Sequence, residues 1–111
     1  MPANPPEYLT ALLDSLPQEV VFADGEHVIR YMNKRALACQ KQGAALLGTS
    51  LMNCHNEQSQ AMIRAIWARL EAGEEEVLYH DKPGLRMYMR AVRNGEGRLI
   101  GYFERRESGG G

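Results

Sequence analysis

Residues 48–70 read GTSLMNCHNEQSQAMIRAIWARL, and the rest of the predicted fold is built around this stretch. Cys54 and His55 stand directly before an amphipathic helix. Asn56 is a good N-cap, and Glu57 places a carboxylate in the first turn, where it suits the positive helix end. Apolar residues then recur at spacings of three and four, at Met62, Ile63, Ile66, Trp67 and Leu70. The helix therefore has one broad face that must be buried.

His55 lies just ahead of the positive end of this helix, at the mouth of the predicted core. That position favours the neutral imidazole, which keeps a ring nitrogen free to accept a hydrogen bond or bind a metal. A histidine that only satisfies backbone groups at a helix start explains the position equally well. Cys54 has no general base patterned near it, so a core thiol is favoured over a nucleophile. We expect His27, in a turn, and His80, at a strand end, to be solvated.

The chain has 111 residues and a net charge of -1, with acidic and basic residues interspersed. This length is enough for one domain with a single modest core. The sequence has no basic stripe for nucleic acid, no polybasic segment for a membrane surface, and no apolar run long enough to span a bilayer. We therefore expect a cytoplasmic protein that binds neither nucleic acid nor membrane. Its two cysteines are predicted to be reduced thiols.

The rest of the chain predicts an α+β domain. Residues 1–6 are proline-rich and predicted to be disordered, and a leucine-rich amphipathic helix follows over 6–16. Short apolar runs, Asp-Gly and Asn-Gly turns and a period-two pattern after Gly73 predict five strands. These strands lie over 19–23, 28–32, 77–80, 85–92 and 98–104, with short helical pieces over 33–40 and 42–47. Residues 107–111 are predicted to form a flexible tail.

The order and spacing of these elements resemble a PAS domain, and the resemblance covers residues 8–105. A strand that ends in an asparagine opening the next helix, and a glycine before the central loop, are typical of that family. The residues that carry the likeness are Asp24-Gly25, Asn33, Gly48, Asn53-Cys54-His55, Ser59, Gly73, Tyr88, Arg90 to Arg93, Gly97, Gly101 and Glu104. Those from Asn53 to Glu104 closely resemble the PAS domains attached to bacterial hemerythrin-like proteins. The resemblance implies a five-stranded antiparallel sheet with helices on one face, forming a single sensor domain over 7–106.

A second resemblance is confined to His55. A histidine followed closely by serine at the start of the long helix is similar to the haem-binding PAS domain of RcoM-type carbon monoxide regulators. There the histidine is an axial haem ligand, so the resemblance implies haem b as a cofactor and His55 as its iron ligand. The family's other ligands are cysteine and methionine around the next strand, where this chain has residues 77–80, VLYH. Met87, Met89 or Cys54 are the candidate substitutes.

We therefore expect a sensory domain that binds a small ligand, with haem the leading candidate, between the sheet and the long helix. The candidate lining residues are His55, Cys54, Met62, Ile66, Leu85, Met87 and Met89, a mostly apolar set. At these spacings the methionines also suit an ordinary core. The alternative is a ligand-free module for dimerisation or protein interaction. An enzyme is not expected, because the sequence shows neither a pair of buried carboxylates nor a base placed beside a nucleophile.

The expected partners are a second copy of the chain and a signalling effector protein or domain. The homodimer is predicted to form through the helix over 6–16 and the outer face of the sheet. Ile100 and Tyr102 are expected to lie on that face without intramolecular cover. Cross-strand ion pairs are expected between Glu104 and the two arginines at positions 90 and 93.

Overall fold

The computed structural model describes residues 5–108, without the side chains of Pro5 and Cys54. Most of the residues predicted to be a disordered N-terminus or a flexible tail, 1–4 and 109–111, lie outside the described part. The elements in chain order are α1 (Pro5–Asp14), β1 (Val21–Asp24), β2 (Ile29–Met32), α2 (Lys34–Cys39), 3₁₀ helices at Gly43–Leu46 and Leu51–Cys54, α3 (Glu57–Glu71), β3 (Glu76–Lys82), β4 (Leu85–Arg93) and β5 (Leu99–Glu107). Helix α1 and strand β5 thus each extend slightly beyond the predicted domain bounds, 7–106.

The long helix forms where its sequence predicts it. The Asn56 side chain accepts a hydrogen bond from the Ser59 backbone N–H at 2.9 Å, which caps the N-terminus. The chain leaves the helix at Gly73, whose φ of 115° lies in the left-handed region that glycine adopts at low cost. Arg93 donates to the Leu70 carbonyl at 2.8 Å and so satisfies one of the last helical acceptors.

The five strands form one antiparallel sheet in the order β2-β1-β5-β4-β3. Buried apolar residues face the helices and fall into two groups. We call the first the α3 cluster: Ala23, Ile63, Ile66, Leu70, Val77, Met89 and Tyr102. We call the second the α2 cluster: Ile29, Met32 and Ala36, with Val21, Leu37, Leu46 and Leu51 packed against them. The predicted α+β architecture, a five-stranded antiparallel sheet with helices on one face and an amphipathic helix before it, is confirmed.

Asn33 joins the α2 side of the domain to the N-terminal helix. It is fully buried, and its Oδ1 accepts from the backbone N–H groups of Val20 and Ala36, at 3.0 and 2.9 Å. Its Nδ2 donates to the carbonyls of Leu13 and Gln18, both at 2.9 Å. One amide thus caps α2 and fixes how the chain enters β1, which explains why an asparagine ends this strand.

The prediction that Tyr102 lies on the outer face of the sheet is wrong. The pairing of β4 and β5 shifts between Val92 and Arg93, so an extra residue, Ile100, bulges from β5. A bulge reverses which residues face the core. Tyr102 therefore points inward and is 3% exposed, whereas Ile100 is 40% exposed.

The predicted ion pairs also have different partners. Arg90 pairs with Glu76 at 3.6 Å and Arg93 with Glu75 at 3.3 Å, whereas Glu104 pairs with Arg106 at 3.0 Å. Glu104 and Arg90 do not pair because they lie on opposite faces of the sheet, Glu104 inward and Arg90 outward. Within the described residues, no helix is long and apolar enough to cross a membrane.

Candidate functional site

A cavity of about 270 Å³ lies between the two core clusters. Its apolar wall takes residues from both: Ala23, Ile63, Met89 and Tyr102 from the α3 cluster, and Val21, Ile29, Met32, Leu46 and Leu51 from the α2 side. Met62 and His55 complete the helix side of the wall. Protein interiors are normally packed to the density of organic crystals, so a gap of this size in the centre of a small core needs an explanation.

The polar lining is concentrated at one end of the cavity. It consists of Glu19, Gln40, Tyr79, Glu104 and Arg106, which we call the polar mouth. The residues come together because β1 and β5 are antiparallel: Phe22 pairs with Phe103, so the residues before β1 lie beside the C-terminal end of β5. The described part of the chain has no buried side-chain nitrogen or oxygen that lacks a hydrogen-bond partner.

Two groups of hydrogen bonds tie the polar mouth together. Tyr79 donates its hydroxyl to Oε2 of Glu104, whose Oε1 accepts from Nε of Arg106 at 3.0 Å. Burial, and then the bond to the Glu104 carboxylate, raises the pKa of Tyr79 well above its ordinary value, so this hydroxyl remains a neutral donor. Separately, Gln40 donates to Oε1 of Glu19 at 2.9 Å, which links the end of α2 to the entry of β1.

His55 contributes an imidazole to the cavity wall between the second 3₁₀ helix and α3. Its Nδ1 lies 2.8 Å from the Leu51 carbonyl oxygen. A carbonyl only accepts, so Nδ1 must carry the proton and Nε2 is the ring atom left for a ligand. The Gln60 side chain holds the backbone of this segment by donating to the carbonyls of Met52 and His55, at 3.0 and 2.9 Å.

His27 is not solvated as predicted, because its turn folds back onto α3. Its φ of 66° is stabilised by Asp24, whose side chain accepts from the backbone N–H groups of Glu26 and Val28 at 2.9 and 3.1 Å. The imidazole Nδ1 is hydrogen-bonded to the Tyr102 hydroxyl at 2.8 Å, and the ring meets the edge of Trp67 with centroids 5.8 Å apart. His80 is also partly shielded from solvent.

Burial controls the ionisation of both partners in this contact. It lowers the pKa of the His27 imidazole, and the positive charge of Arg64 adds to the effect while Asp24 opposes it. Burial, with a smaller contribution from the Asp24 charge, raises the pKa of the Tyr102 hydroxyl well above its ordinary value. Because Tyr102 also lines the cavity, this neutral pair connects the cavity wall to the β1–β2 turn.

The structure brings together three of the predicted site residues: His55, Met62 and Met89 all line the cavity. Ile66 lies one turn further along α3 and packs within the α3 cluster, beside a narrow second gap. Met87 is not among the cavity residues, although it pairs across the sheet with Arg106, which is one of them. The Cys54 side chain is outside the described part of the structure. Cys39 is an exposed free thiol.

The donor chemistry and the dimensions of the cavity give opposite answers for haem. An imidazole whose Nδ1–H is held by a backbone carbonyl is the usual arrangement of a metal-binding histidine. However, the volume lies just below the range of roughly 300–1,000 Å³ for small-molecule sites, which is small for a porphyrin. The mouth also carries two carboxylates and one guanidinium, so its net negative charge would repel the haem propionates. The cavity in this form does not fit haem. No group of three or more potential metal ligands occurs among the described residues.

The polar mouth, which includes Glu19, Tyr79 and Arg106, is not among the sites that the sequence predicts. Part of the signal is present, because period two places Tyr102, Glu104 and Arg106 on one face of β5. The bulge at Ile100 obscured which face that is. Nothing local connects Glu19 and Gln40 with β5, since only the folded sheet brings these segments together.

The comparisons with known proteins agree with this architecture. A family model for the PAS domain matches residues 9–105. The comparison with curated proteins gives no match. A C-terminal domain from Streptococcus mutans superposes with a TM-score of 0.75 at 19% identity, covering 97% of this chain and 90% of that one. The PAS domain of a Colwellia psychrerythraea protein is also similar, with a TM-score of 0.64 at 12% identity, covering 95% of this chain and 97% of that one. A sensory box sensor histidine kinase from Vibrio cholerae superposes with a TM-score of 0.59 at 16% identity, covering 89% of this chain and 87% of that one.

The family match spans most of the chain, so this protein belongs to the PAS domain family. PAS domains are sensory and signalling modules, and as a class they are generally not enzymes. The sequence identity between this chain and the solved structures is below 20%, so their likeness establishes the fold alone.

Proposed function

We propose that this PAS domain is a sensory module that binds a small organic ligand in the cavity between its two core clusters. The observation that carries the proposal is the divided core. Leu51 packs against both clusters, yet beside it the residues of the α2 and α3 clusters leave a gap of about 270 Å³. Mostly apolar walls with a few polar groups at one end are typical of small-molecule sites.

A cavity-filling substitution tests this proposal. Val21 lines the cavity and Val92 lies on the opposite face of the sheet, in strand β4. Both are half-buried, so Val92→Phe is a matched control for Val21→Phe. The probe is 1-hexanol, titrated into each protein by calorimetry. We expect the wild type and Val92→Phe to bind it, and Val21→Phe to bind at least about tenfold more weakly. Equal binding by all three proteins would exclude the cavity as the site.

Haem b is the second candidate, favoured by one observation: the Nδ1–H of His55 is held by the Leu51 carbonyl, which leaves Nε2 for iron. When bound, haem would supply a metal centre that takes up diatomic gases. The cavity would have to widen to admit it. After reconstitution with haem, His55→Ala should abolish or strongly shift the Soret band, whereas His80→Ala should not. A wild-type protein without a Soret band after reconstitution removes this candidate.

We further propose that the domain works in the cytoplasm, without catalysis, and reports to a second copy of itself and to an effector protein or domain. The self-association is supported by three apolar side chains on α1 that are 55–60% exposed, Tyr8, Leu9 and Leu12. A ligand-free interaction module would use the same surface. The two functions are separated by comparing dimer dissociation constants with and without the cavity ligand: only a sensor should show a change.

A further inference from the structure

We infer that the cavity selects ligands with an apolar body and a cationic amine head, and that Glu19 is the residue that recognises the amine. This inference rests on the proposed function, because it assumes that the cavity binds a ligand. It names the class of ligand and the residue that sets the specificity.

The first step is the charge at the polar mouth. Its charged side chains are two carboxylates, Glu19 and Glu104, and one guanidinium, Arg106. Arg106 pairs with Glu104 at 3.0 Å, and the second oxygen of Glu104 accepts from Tyr79. Glu104 is therefore ion-paired and hydrogen-bonded on both oxygens. Arg106 also interacts with the charge of Glu19 at longer range, but two carboxylates face one guanidinium, so the mouth keeps one net negative charge.

The second step is the state of Glu19 itself. Its one hydrogen-bond partner in the described chain is the uncharged amide of Gln40, at 2.9 Å to Oε1. No lysine or arginine of the described residues lies within ion-pair distance of it. Glu19 is half-buried, so its interaction with a ligand charge is screened less than that of a fully exposed carboxylate. Oε2 is free to accept from a ligand donor.

The third step is the neighbouring wall. Val21 follows Glu19 by two residues and lines the same cavity, as do Met32 and Met62. An alkyl or aryl body can therefore lie against the apolar wall while its ammonium group reaches the mouth. A carboxylate head in that position would face Glu19, and its one potential cationic partner at the mouth, Arg106, already pairs with Glu104. An uncharged head would gain the apolar contacts without the ion pair.

Three probes with the same hydrocarbon body and different heads test the inference: hexylamine, 1-hexanol and hexanoate, each titrated into the full chain at pH 7 by calorimetry. We expect hexylamine to bind about tenfold more tightly than 1-hexanol, and hexanoate to bind most weakly. Glu19→Gln keeps an oxygen for the Gln40 amide and removes the charge. It should reduce hexylamine binding about tenfold and leave 1-hexanol binding unchanged.

Glu96→Gln is the matched control, since it makes the same change in net charge at an exposed site in the β4–β5 turn. It should leave all three affinities unchanged, and melting temperatures should show that both variants are folded. Preferential binding of hexanoate overturns the inference, as does an equal effect of Glu19→Gln and Glu96→Gln on hexylamine. Binding of all three probes with equal affinity overturns the selectivity but leaves the proposed cavity function standing. If no probe binds, both fail together.

Discussion

Replacing His27 with asparagine should destabilise the domain and change how its stability depends on pH. Asparagine tolerates the left-handed backbone conformation that His27 adopts, with φ of 66°, so the turn can keep its geometry. The substitution removes the hydrogen bond to Tyr102, about 1 kcal/mol, and the edge contacts with Trp67 and Tyr102, each about 0.5–1.5 kcal/mol. The expected loss at neutral pH is therefore about 2–4 kcal/mol.

The pH dependence follows from burial of the imidazole. In the folded protein the pKa of His27 is lowered by burial and by Arg64, so the unfolded chain takes up this proton at a higher pH than the folded chain. The contribution of His27 to the free energy of unfolding is thus fully present above its ordinary pKa of about 6.5. It falls as the pH drops through that value and levels off below the folded pKa. The difference between wild type and variant should therefore shrink from pH 7.5 to pH 5.5.

Urea unfolding followed by tryptophan fluorescence provides the measurement. Trp67 is the single tryptophan of the chain and contacts the ring under test. His80→Asn is the control for removing an imidazole elsewhere in the domain. If His27→Asn costs less than about 0.5 kcal/mol at pH 7.5, the contacts of this ring do not stabilise the fold. If the variant keeps the full pH dependence, His27 does not cause it.

Three further substitutions, one of them with a control variant, test the fold and the assembly. Gly101→Ala should cost about 3 kcal/mol or more and lower the melting temperature sharply, because a Cβ there would overlap the Ala23 carbonyl and the Phe22 ring. Gly95→Ala is the control: a Cβ there meets no other atom, so stability should change by less than about 0.5 kcal/mol. Gly73→Ala should cost about 1 kcal/mol in urea unfolding and leave 1-hexanol affinity intact, and a loss of affinity at full stability would contradict this. Light scattering should show a homodimer that Leu12→Glu weakens, and a wild-type monomer at high micromolar concentration would refute the dimer.

Local sequence signals were sufficient for most of the fold. Asn56 as the cap of α3 and Gly73 at its end follow from preferences that act within a few residues, and the structure confirms both. The five strands were recognisable because period two and turn residues coincide. Tyr102 was placed on the wrong face because a bulge of one residue, Ile100, reverses the alternation, and no local signal in β5 marks that bulge.

The candidate site was less predictable, since it depends on contacts between distant segments. His55 was identified from its place before a helix, which is a local feature. Glu19 meets the cavity only because β1 pairs with β5, which lies more than 70 residues further along the chain. His27 resembles an exposed turn residue until Gly25 brings that turn close to Trp67, where a Cβ at Gly25 would lie 3.3 Å from the indole. The volume of the cavity likewise depends on how two core clusters are spaced, and no single segment encodes that spacing.

The hydrogen bonds of the polar mouth explain why the core does not close over this gap. Gln40 and Glu19 join α2 to the entry of β1, while Tyr79 and Glu104 join β3 to β5 across β4. Collapse of the α2 cluster onto the α3 cluster would bring the end of α2 inward and break or bury these groups. Burying a carboxylate without its partners is more costly than leaving an apolar gap. A ligand with an apolar body would contact both clusters without disturbing the mouth. Such a ligand would bind the folded chain and not the unfolded one, so its binding would raise the free energy of unfolding of the domain.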